Sequence, residues 1–193
     1  MSADVSFSVA VVGGTGSLGA ALAKRWVKAG YQVLVGSRNS DKAEEKAKEI
    51  SAETGVQLSG GSNHDVAAEA DLVVVTVPFA AQEATLADIR PAVQGKIVVD
   101  TTVPLVPPKV MRVQLPAEGS AALKAAALLG DGVTMVSAFH NVAAHKLATD
   151  EDIQCDIMVF GDVKAARSKV VKLADAAGLR GVHAGALCNS VAA

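Results

Sequence analysis

A glycine-rich segment near the amino terminus constrains this chain more than any other feature of its sequence. Three glycines with the spacing G-x-G-x-x-G lie between an apolar run at residues 7–12 and an amphipathic segment. In such a strand–turn–helix unit the glycines permit a tight turn, a close approach of ligand to backbone, and close packing of helix on strand. The helix N-terminus then offers free N–H groups to phosphates, so we predict a dinucleotide site here. Its loop residues are Gly14, Thr15, Gly16, Ser17, Leu18 and Gly19.

The end of the second predicted strand indicates which dinucleotide this loop accepts. An NAD site carries Asp or Glu about 20 residues after the glycines, where the carboxylate binds the ribose hydroxyls. This chain has Gly36, Ser37 and Arg38 there, with Lys42 about one helical turn later. Without an acidic residue a 2′-phosphate meets no repulsion, and a guanidinium can bind it as a planar fork. We therefore predict that Ser37, Arg38 and Lys42 bind NADP(H), with solvated surface cations as the alternative.

Apolar runs alternate with helical patterns along the first hundred residues. The runs predict strands at residues 7–12, 33–35, 56–58, 72–77 and 96–99, and the amphipathic patterns predict helices at residues 17–29, 41–53 and 81–89. This alternation is typical of a parallel sheet with helices on both faces. The sequence therefore predicts an α/β fold with a doubly wound, mostly parallel Rossmann-type sheet.

The pattern changes at residues 101–116, where Pro104, Pro107, Pro108 and Pro116 exclude regular helix or central strand. Beyond them we expect helices near residues 120–129 and 166–177, and strands near residues 133–136, 157–160 and 181–184. We assign residues 1–137 to an NADP-binding Rossmann domain. Residues 138–193 are assigned to a small C-terminal α/β lobe that binds the substrate or coenzyme.

Composition and charge argue against several classes of binding partner. The net charge of -2 gives no basic surface for nucleic acid, and no apolar stretch approaches the ~20 residues of a membrane span. The start of the chain lacks the basic flank and long apolar run of a secretory signal. Cys155 and Cys188 lie far apart, in no metal-ligand spacing. We expect a cytoplasmic protein with no nucleic-acid or membrane partner and no metal site.

Two further strand ends carry candidate site residues. Ligands of open α/β sheets bind beyond the carboxyl ends of the strands, and Val77, Pro78 and Phe79 follow the fourth predicted strand. Val77 and Pro78 would pack against the nicotinamide end of a cofactor, with an ordinary strand end as the alternative. His140 follows the strand near residues 133–136 and is either a residue that orients substrate or shuttles a proton, or a structural histidine.

Several catalytic patterns are absent from the sequence. It contains no nucleophile elbow, no Walker loop and no metal-ligand cluster. Tyr31 is the only tyrosine, so the Tyr-x-x-x-Lys pair of short-chain dehydrogenases is absent too. Hydride transfer between two stacked cofactor rings depends on geometry more than on acid–base groups, and it is compatible with these residues.

Longer stretches of the chain resemble the NADPH-dependent F420 reductases, or F420:NADP oxidoreductases. These stretches are residues 13–19, 35–38, 42–44, 77–78, 100–104, 138–142, 161–162, 178–180 and 184–187, with Asn189. They run along nearly the whole chain. The resemblance implies a homodimer in which NADP(H) stacks against the deazaflavin ring of coenzyme F420.

The resemblance also implies roles for individual residues. Thr15 to Leu18 would hold the pyrophosphate, and Ser37, Arg38 and Lys42 the 2′-phosphate. Val77 would surround the rings together with the segment that contains His140, Asn141, Val142 and Ala144. Phe79 stands where the family often has Trp, and the family continues past residue 193 with a tail that contributes to the dimer and the deazaflavin pocket.

The sequence therefore predicts an oxidoreductase that transfers a hydride between NADP(H) and coenzyme F420 or a flavin-like acceptor. His140 is the candidate catalytic residue, acting by positioning. The alternatives are a non-catalytic NADP(H)-binding redox sensor and a flavin or ferric reductase. In each case the expected partner is a small redox molecule.

Overall fold

The computed structural model describes residues 7–106 and 112–192. The strands are β1 (Val9–Val12), β2 (Val33–Ser37), β3 (Ser59–Ser62), β4 (Leu72–Val75), β5 (Ile97–Asp100), β6 (Leu105–Val106), β7 (Arg112–Val113), β8 (Thr134–Ser137), β9 (Asp156–Phe160) and β10 (Arg180–Gly185). The helices are α1 (Ser17–Lys28), α2 (Ser40–Thr54), α3 (Asn63–Glu69), α4 (Phe79–Ile89), α5 (Ala121–Leu129), α6 (Ala144–Leu147) and α7 (Lys164–Ala176). Short 3-10 helices cover Arg90–Val93 and Leu187–Ala192.

Eight strands form the main sheet in the order β3-β2-β1-β4-β5-β8-β9-β10. The six strands from β3 to β8 in this order are parallel. β9 is antiparallel to β8 through the pair Ser137 and Phe160, and β10 is parallel to β9. The parallel part has the strand order of a dinucleotide-binding sheet, with the reversal between β1 and β4. The prediction of a doubly wound, mostly parallel α/β fold is confirmed.

The apolar runs form fully buried strands because helices cover both faces of the sheet. All four residues of β1 are inaccessible to solvent. Val9 and Val11 point into a core cluster shared with α1, α2 and α7, whereas Ala10 and Val12 point into a second cluster shared with α3, α4 and α5. Burial on both faces explains why these strands read as continuous apolar runs without alternation.

The expected third strand at residues 56–58 is wrong. β3 begins at Ser59, and Val56 lies exposed in the preceding turn. A Cβ on Gly60 would lie 2.4 Å from the carbonyl carbon of Ala43, so only glycine lets α2 pack this closely on the strand. Backbone proximity, which hydropathy does not register, therefore requires glycine at position 60 of this edge strand.

Helix α3 was not among the helices predicted from the sequence. Ser62 caps it, because the Ser62 hydroxyl accepts a hydrogen bond from the backbone N–H of Asp65 at 3.1 Å. Serine followed three residues later by an acidic residue is a helix-start signal, so the sequence did carry this information. The helix matters for function because Asn63, its first residue, lies against the glycine loop.

Strands from both assigned regions belong to one sheet. β8 ends at Ser137, and β9 and β10 continue the sheet beyond it. Pro107 and Pro108 lie outside the described residues, and β6 and β7 on either side of them pair as a short antiparallel ladder. The division into residues 1–137 and 138–193 with separate binding roles stays a prediction.

Candidate functional site

The glycine loop between β1 and α1 exposes the end of the helix. Gly13 has a φ of 77°, and Gly14 donates its N–H to the carbonyls of Val11 at 3.1 Å and Gly36 at 2.8 Å. α1 then begins at Ser17 with no side-chain cap and no acidic residue in its first turn. Its first N–H groups therefore lack intrahelical partners, and the helix dipole favours an anion in front of them.

Gly19 and Gly16 are glycines for different reasons. A Cβ on Gly19 would lie 2.5 Å from Thr76 Oγ1 and 2.8 Å from Gly14 Cα, so close packing requires glycine there. A Cβ on Gly16 would meet only the Gly13 carbonyl oxygen, at 3.3 Å, and the φ of -76° suits any residue. The fold itself makes little demand for glycine at position 16, and the space beside it is open to a group from outside the chain.

Two side chains that the motif did not reveal hold this loop in place. Asn63, only 2% exposed, accepts a hydrogen bond from Gly13 N–H at 3.1 Å. Thr76, directly after β4, donates its hydroxyl to the Val12 carbonyl at 2.9 Å. The loop is thus fixed from α3 and from the end of β4. The start of α3 could have been recognised from its capping residues, whereas the contact of Asn63 with Gly13 spans 50 positions and has no local signal.

The end of β2 lies beside the loop, as the hydrogen bond from Gly14 N–H to the Gly36 carbonyl shows. Ser37 is buried, and its hydroxyl accepts a hydrogen bond from Asn39 N–H at 3.2 Å. Arg38 and Lys42 are exposed, and neither pairs with an acidic side chain of the described residues. Two positive charges that no acidic side chain of the described residues neutralises therefore follow the strand beside the glycine loop.

The residues after β4 separate into two groups. Val77 Cγ1 lies 2.6 Å from the place that a Cβ on Gly13 would take, so Val77 packs over the loop. Pro78 caps α4 and is exposed. Phe79 begins that helix, and its ring centroid lies 5.5 Å from Lys124 Nζ of α5. Val77 thus meets the glycine loop, while the Phe79 ring contacts the neighbouring helix.

A turn with a left-handed residue follows β8 and positions His140. Phe139 has a φ of 66° and is 1% exposed, with its ring centroid 5.8 Å from that of Trp26. Such a conformation costs about 1–3 kcal/mol in a non-glycine residue and persists where packing holds it. The turn brings His140 Nε2 to 2.8 Å from Ser137 Oγ. Burial lowers the pKa of His140 to about 4, so the imidazole is neutral near pH 7.

The segment after His140 folds back over α1. Ala144 of α6 shares a groove with Ser17, the first residue of α1, and Val142 packs against the same core cluster as Leu18. The Asn141 side chain instead donates to the Asp156 carbonyl at 3.0 Å, at the start of β9. The structure therefore brings Val142 and Ala144 to the helix that carries the glycine loop, and it uses the Asn141 amide to hold β9.

A cavity lies where the carboxyl ends of β5 and β8 meet. Exposed apolar side chains, Leu115 and Val191, line it on one side. Hydroxyl groups and one imidazole supply its polar lining, namely Thr102, Ser120, Ser137, Ser190 and His140. The cavity combines apolar surface with groups that can donate or accept hydrogen bonds.

The described residues offer little other binding chemistry. No three of their His, Cys, Asp or Glu side chains are grouped as metal ligands. Within the same part of the chain, every helix is too short or too polar to traverse a bilayer. Cys155 and Cys188 are free thiols.

The strand order, the exposed end of α1 and the glycine loop define a protein of the Rossmann-type dinucleotide-binding class. Within this class, residues 8–104 match the family model described as NADP oxidoreductase, coenzyme F420-dependent. The chain belongs to this family, and the resemblance inferred from its sequence is confirmed.

Curated relatives and a solved structure agree with this assignment. The chain is 39% identical to the F420-dependent NADP reductase of Methanothermobacter thermautotrophicus, over 94% of this chain and 82% of that protein. It is 36% identical to the F420-dependent NADP reductase of Methanocaldococcus jannaschii, over 94% and 85%. A provisionally assigned F420-dependent NADP reductase from Arthrobacter sp. FB24 shares the fold, with a TM-score of 0.81, 23% identity, and coverage of 96% of this chain and 88% of that one.

Proposed function

We propose that this chain transfers a hydride between NADP(H) and coenzyme F420, and that the glycine loop and the end of β2 bind NADP(H). One structural observation carries the residue assignment. The hydrogen bond from Gly14 to Gly36 joins the loop before α1 to the end of β2, which is followed by Arg38 and Lys42, two exposed cations without an acidic partner among the described residues. Membership in the F420-dependent NADP oxidoreductase family supports the reaction.

The residues of the loop suit a dinucleotide. The backbone of Thr15, Ser17 and Leu18 would bind the pyrophosphate at the helix end, where Gly16 leaves room for it. Arg38 and Lys42 would bind the 2′-phosphate, with Ser37 adding a hydroxyl at the end of the strand. This arrangement favours NADP(H) over NAD(H), because the phosphate exists only in the former.

The rings would lie beyond the carboxyl ends of β4, β5 and β8. When bound, NADPH supplies the hydride and F420 accepts it. Val77 and Val142 would contribute apolar contacts, and neutral His140, held by Ser137, would orient a ring without adding charge. Positioning of this kind can contribute about 7–11 kcal/mol to lowering a barrier. His140 is accordingly a positioning residue in this proposal.

The proposal extends to assembly and location. A homodimer is expected from the family resemblance. Light scattering at micromolar concentration would measure the molar mass and so test this oligomeric state. A cytoplasmic location fits the two free cysteines, which persist in a reducing compartment.

Anaerobic stopped-flow absorbance tests the reaction. NADPH is mixed with enzyme and with F420, FMN or riboflavin in turn, and NADPH carrying deuterium at the transferred position of its nicotinamide ring is used in parallel. We expect rapid reduction of F420 and retention of the deuterium on the deazaflavin ring. Loss of the label to solvent, or NADPH binding without reduction of F420, would reject the proposed reaction. Reduction of FMN or riboflavin alone would identify a flavin reductase, and binding without any turnover would favour a redox sensor.

A further inference from the structure

A buried polar network lies behind the cavity at the carboxyl end of β5. Asp100, the last residue of that strand, is 0% exposed. Gln82 Nε2 lies 3.2 Å from each of its carboxylate oxygens, and Thr102 Oγ1 lies 2.8 Å and 3.1 Å from them. A buried carboxylate that only accepts hydrogen bonds from neutral groups is costly, so its presence calls for an explanation beyond packing.

The network connects two walls of the cavity. Thr102 lines the cavity directly. Gln82 Nε2, whose two N–H groups are shared among these acceptors, also lies 2.7 Å from Thr102 Oγ1 and 3.1 Å from the carbonyl oxygen of Ala121, in the first turn of α5. One carboxylate therefore fixes the segment after β5 and, through Gln82, the start of α5.

Asp100 also stands beside the residues that hold His140. In the sheet register its partner on β8 is Ser137, whose hydroxyl lies 2.8 Å from His140 Nε2. Neighbouring side chains in register lie on the same face of a sheet. Asp100 thus lies next to Ser137, which lines the cavity together with His140.

We propose that Asp100 is a positioning residue for the reaction, which fixes Thr102 and the start of α5 and so sets the shape of the cavity completed by Ser137 and His140. The proposal rests on the proposed function, since the cavity lies where the second ring would bind. Asp100 touches neither substrate and acts through Thr102 and Gln82.

The orientation of the Gln82 amide indicates whether the Asp100 carboxyl is ionised or protonated. Its Oε1 is buried and has no hydrogen-bond donor among the described residues, because the amide turns its Nε2 toward the carboxylate. This orientation suits ionised Asp100, which only accepts. A protonated Asp100 would donate either to Thr102 Oγ1 or, after rotation of the Gln82 amide, to Oε1. In either case we expect loss of the Asp100 charge to change the hydrogen bonds that hold Thr102 and the start of α5.

The charge of Asp100 changes near neutral pH. Burial raises the pKa of its carboxyl to about 6, opposed by the hydrogen bonds from Thr102 and Gln82. In the described part of the chain, its register partners on β4 and β8 are Val75 and Ser137, and Gln82 links it to the Ala121 carbonyl of α5; none of these groups carries a charge. Glu83 and Lys124 pair with each other at the surface, and His140 is a titratable group that lines the same cavity as Thr102.

Asp100→Asn tests the proposal in the full-length protein. We expect the Kd for NADPH to change by less than about twofold, and KM for F420 to rise about tenfold through looser positioning. The wild-type kcat/KM should also fall as the pH is lowered through about 6, and the variant should lose this step. An unchanged KM together with an unchanged pH profile would overturn the proposal while leaving the proposed function intact.

A second variant and a spectroscopic measurement keep the test independent of folding and turnover. Thr102→Val keeps the carboxylate and should raise KM for F420 similarly, whereas Thr101→Val removes a buried hydroxyl that bonds only the Val75 carbonyl and should leave KM unchanged. An infrared pH titration should show one carboxyl protonating near pH 6 in wild type and not in Asp100→Asn. Absence of that change in wild type would overturn the proposed pH dependence of the cavity wall even if F420 proved not to be the substrate.

Discussion

Arg38 is the residue on which we expect cofactor choice to depend. Its guanidinium is exposed beside the glycine loop and is unpaired among the described residues, so a 2′-phosphate would not have to displace an acidic partner. We expect Arg38→Ala to weaken NADP binding by about 1.5–3 kcal/mol, the cost of a charge-assisted hydrogen bond. Binding of NAD should be nearly unchanged, because it lacks the phosphate.

Calorimetric titrations with both dinucleotides measure this difference. Lys48→Ala serves as the control, since Lys48 is an equally exposed cation on α2 that lies outside the predicted site. Equal losses of NADP and NAD affinity in Arg38→Ala would contradict the assignment of the 2′-phosphate site.

Asp100 and His140 should make opposite contributions to the pH dependence of stability. Burial raises the pKa of Asp100 from 3.8 to about 6 and lowers that of His140 from 6.5 to about 4. Between these values the folded protein keeps a proton on Asp100 that the unfolded chain releases, so this contribution to stability falls as pH rises. For His140 the unfolded chain keeps the proton, so its contribution rises with pH. Each amounts to roughly 3 kcal/mol.

Urea unfolding between pH 4 and pH 7 separates the two groups. Relative to wild type, Asp100→Asn should become more stable by roughly 3 kcal/mol as the pH rises from 4 to 6, because the variant lacks the falling contribution. His140→Gln should become less stable than wild type by a similar amount as the pH rises from 4 to 6.5. Parallel curves for both variants and wild type would show that neither group titrates with a shifted pKa.

At the residue scale the glycine loop could be predicted from the sequence, whereas the polar network at the end of β5 could not. Gly14, Gly16 and Gly19 follow from a local spacing whose physical reason is local, and the structure brings this loop together with Gly36 at the end of β2 and with Val77. In the network of Asp100, Gln82 and Thr102, Gln82 bonds residues that lie 18 and 20 positions further along the chain, so no local sequence pattern predicts it.

At the scale of elements, β3 shows where hydropathy is a poor guide. The strand is Ser-Gly-Gly-Ser, and its two glycines meet different surroundings. A Cβ on Gly60 would lie 2.4 Å from the backbone of Ala43, whereas one on Gly61 would make an ordinary contact of 3.5 Å with Val66. A sequence pattern cannot separate these two positions, because the difference comes from how closely α2 crosses the strand.

The same comparison gives a matched pair of variants. We expect Gly60→Ala to destabilise the protein by about 1–3 kcal/mol through overpacking against α2. Gly61→Ala should be neutral or should stabilise by up to about 1 kcal/mol, because alanine reduces the freedom of the unfolded chain. Free energies of unfolding from urea titrations measure both, and a loss in Gly61→Ala as large as that in Gly60→Ala would contradict the packing explanation.

At the scale of the whole molecule, α1 joins the dinucleotide-binding region to the C-terminal region. Arg25 donates to the carbonyls of Leu147 at 2.9 Å and Ala177 at 2.8 Å, and also to those of Thr149 and Glu151. Trp26 Nε1 donates to the Leu173 carbonyl at 2.8 Å. The sequence predicted α1 as a helix, but not these contacts across more than 120 positions, which depend on the folded chain. The helix whose first turn would bind phosphate thus also holds the segment that follows His140.

We therefore expect residues 1–137 and 138–193 to unfold together, whatever their separate roles in binding. Trp26, the only tryptophan, is fully buried between them, so its fluorescence reports their separation. Urea transitions followed by Trp26 fluorescence and by far-ultraviolet circular dichroism should coincide, as in two-state unfolding.

Arg25→Met should lower stability by about 2–3 kcal/mol, because charged hydrogen bonds to four carbonyls are lost together. Lys28→Met, which removes only the exposed pair with Asp150, should cost at most about 1 kcal/mol. Two separated transitions in the wild-type protein would mean that the Arg25 and Trp26 contacts do not couple the regions, and that the C-terminal region folds as an independent unit.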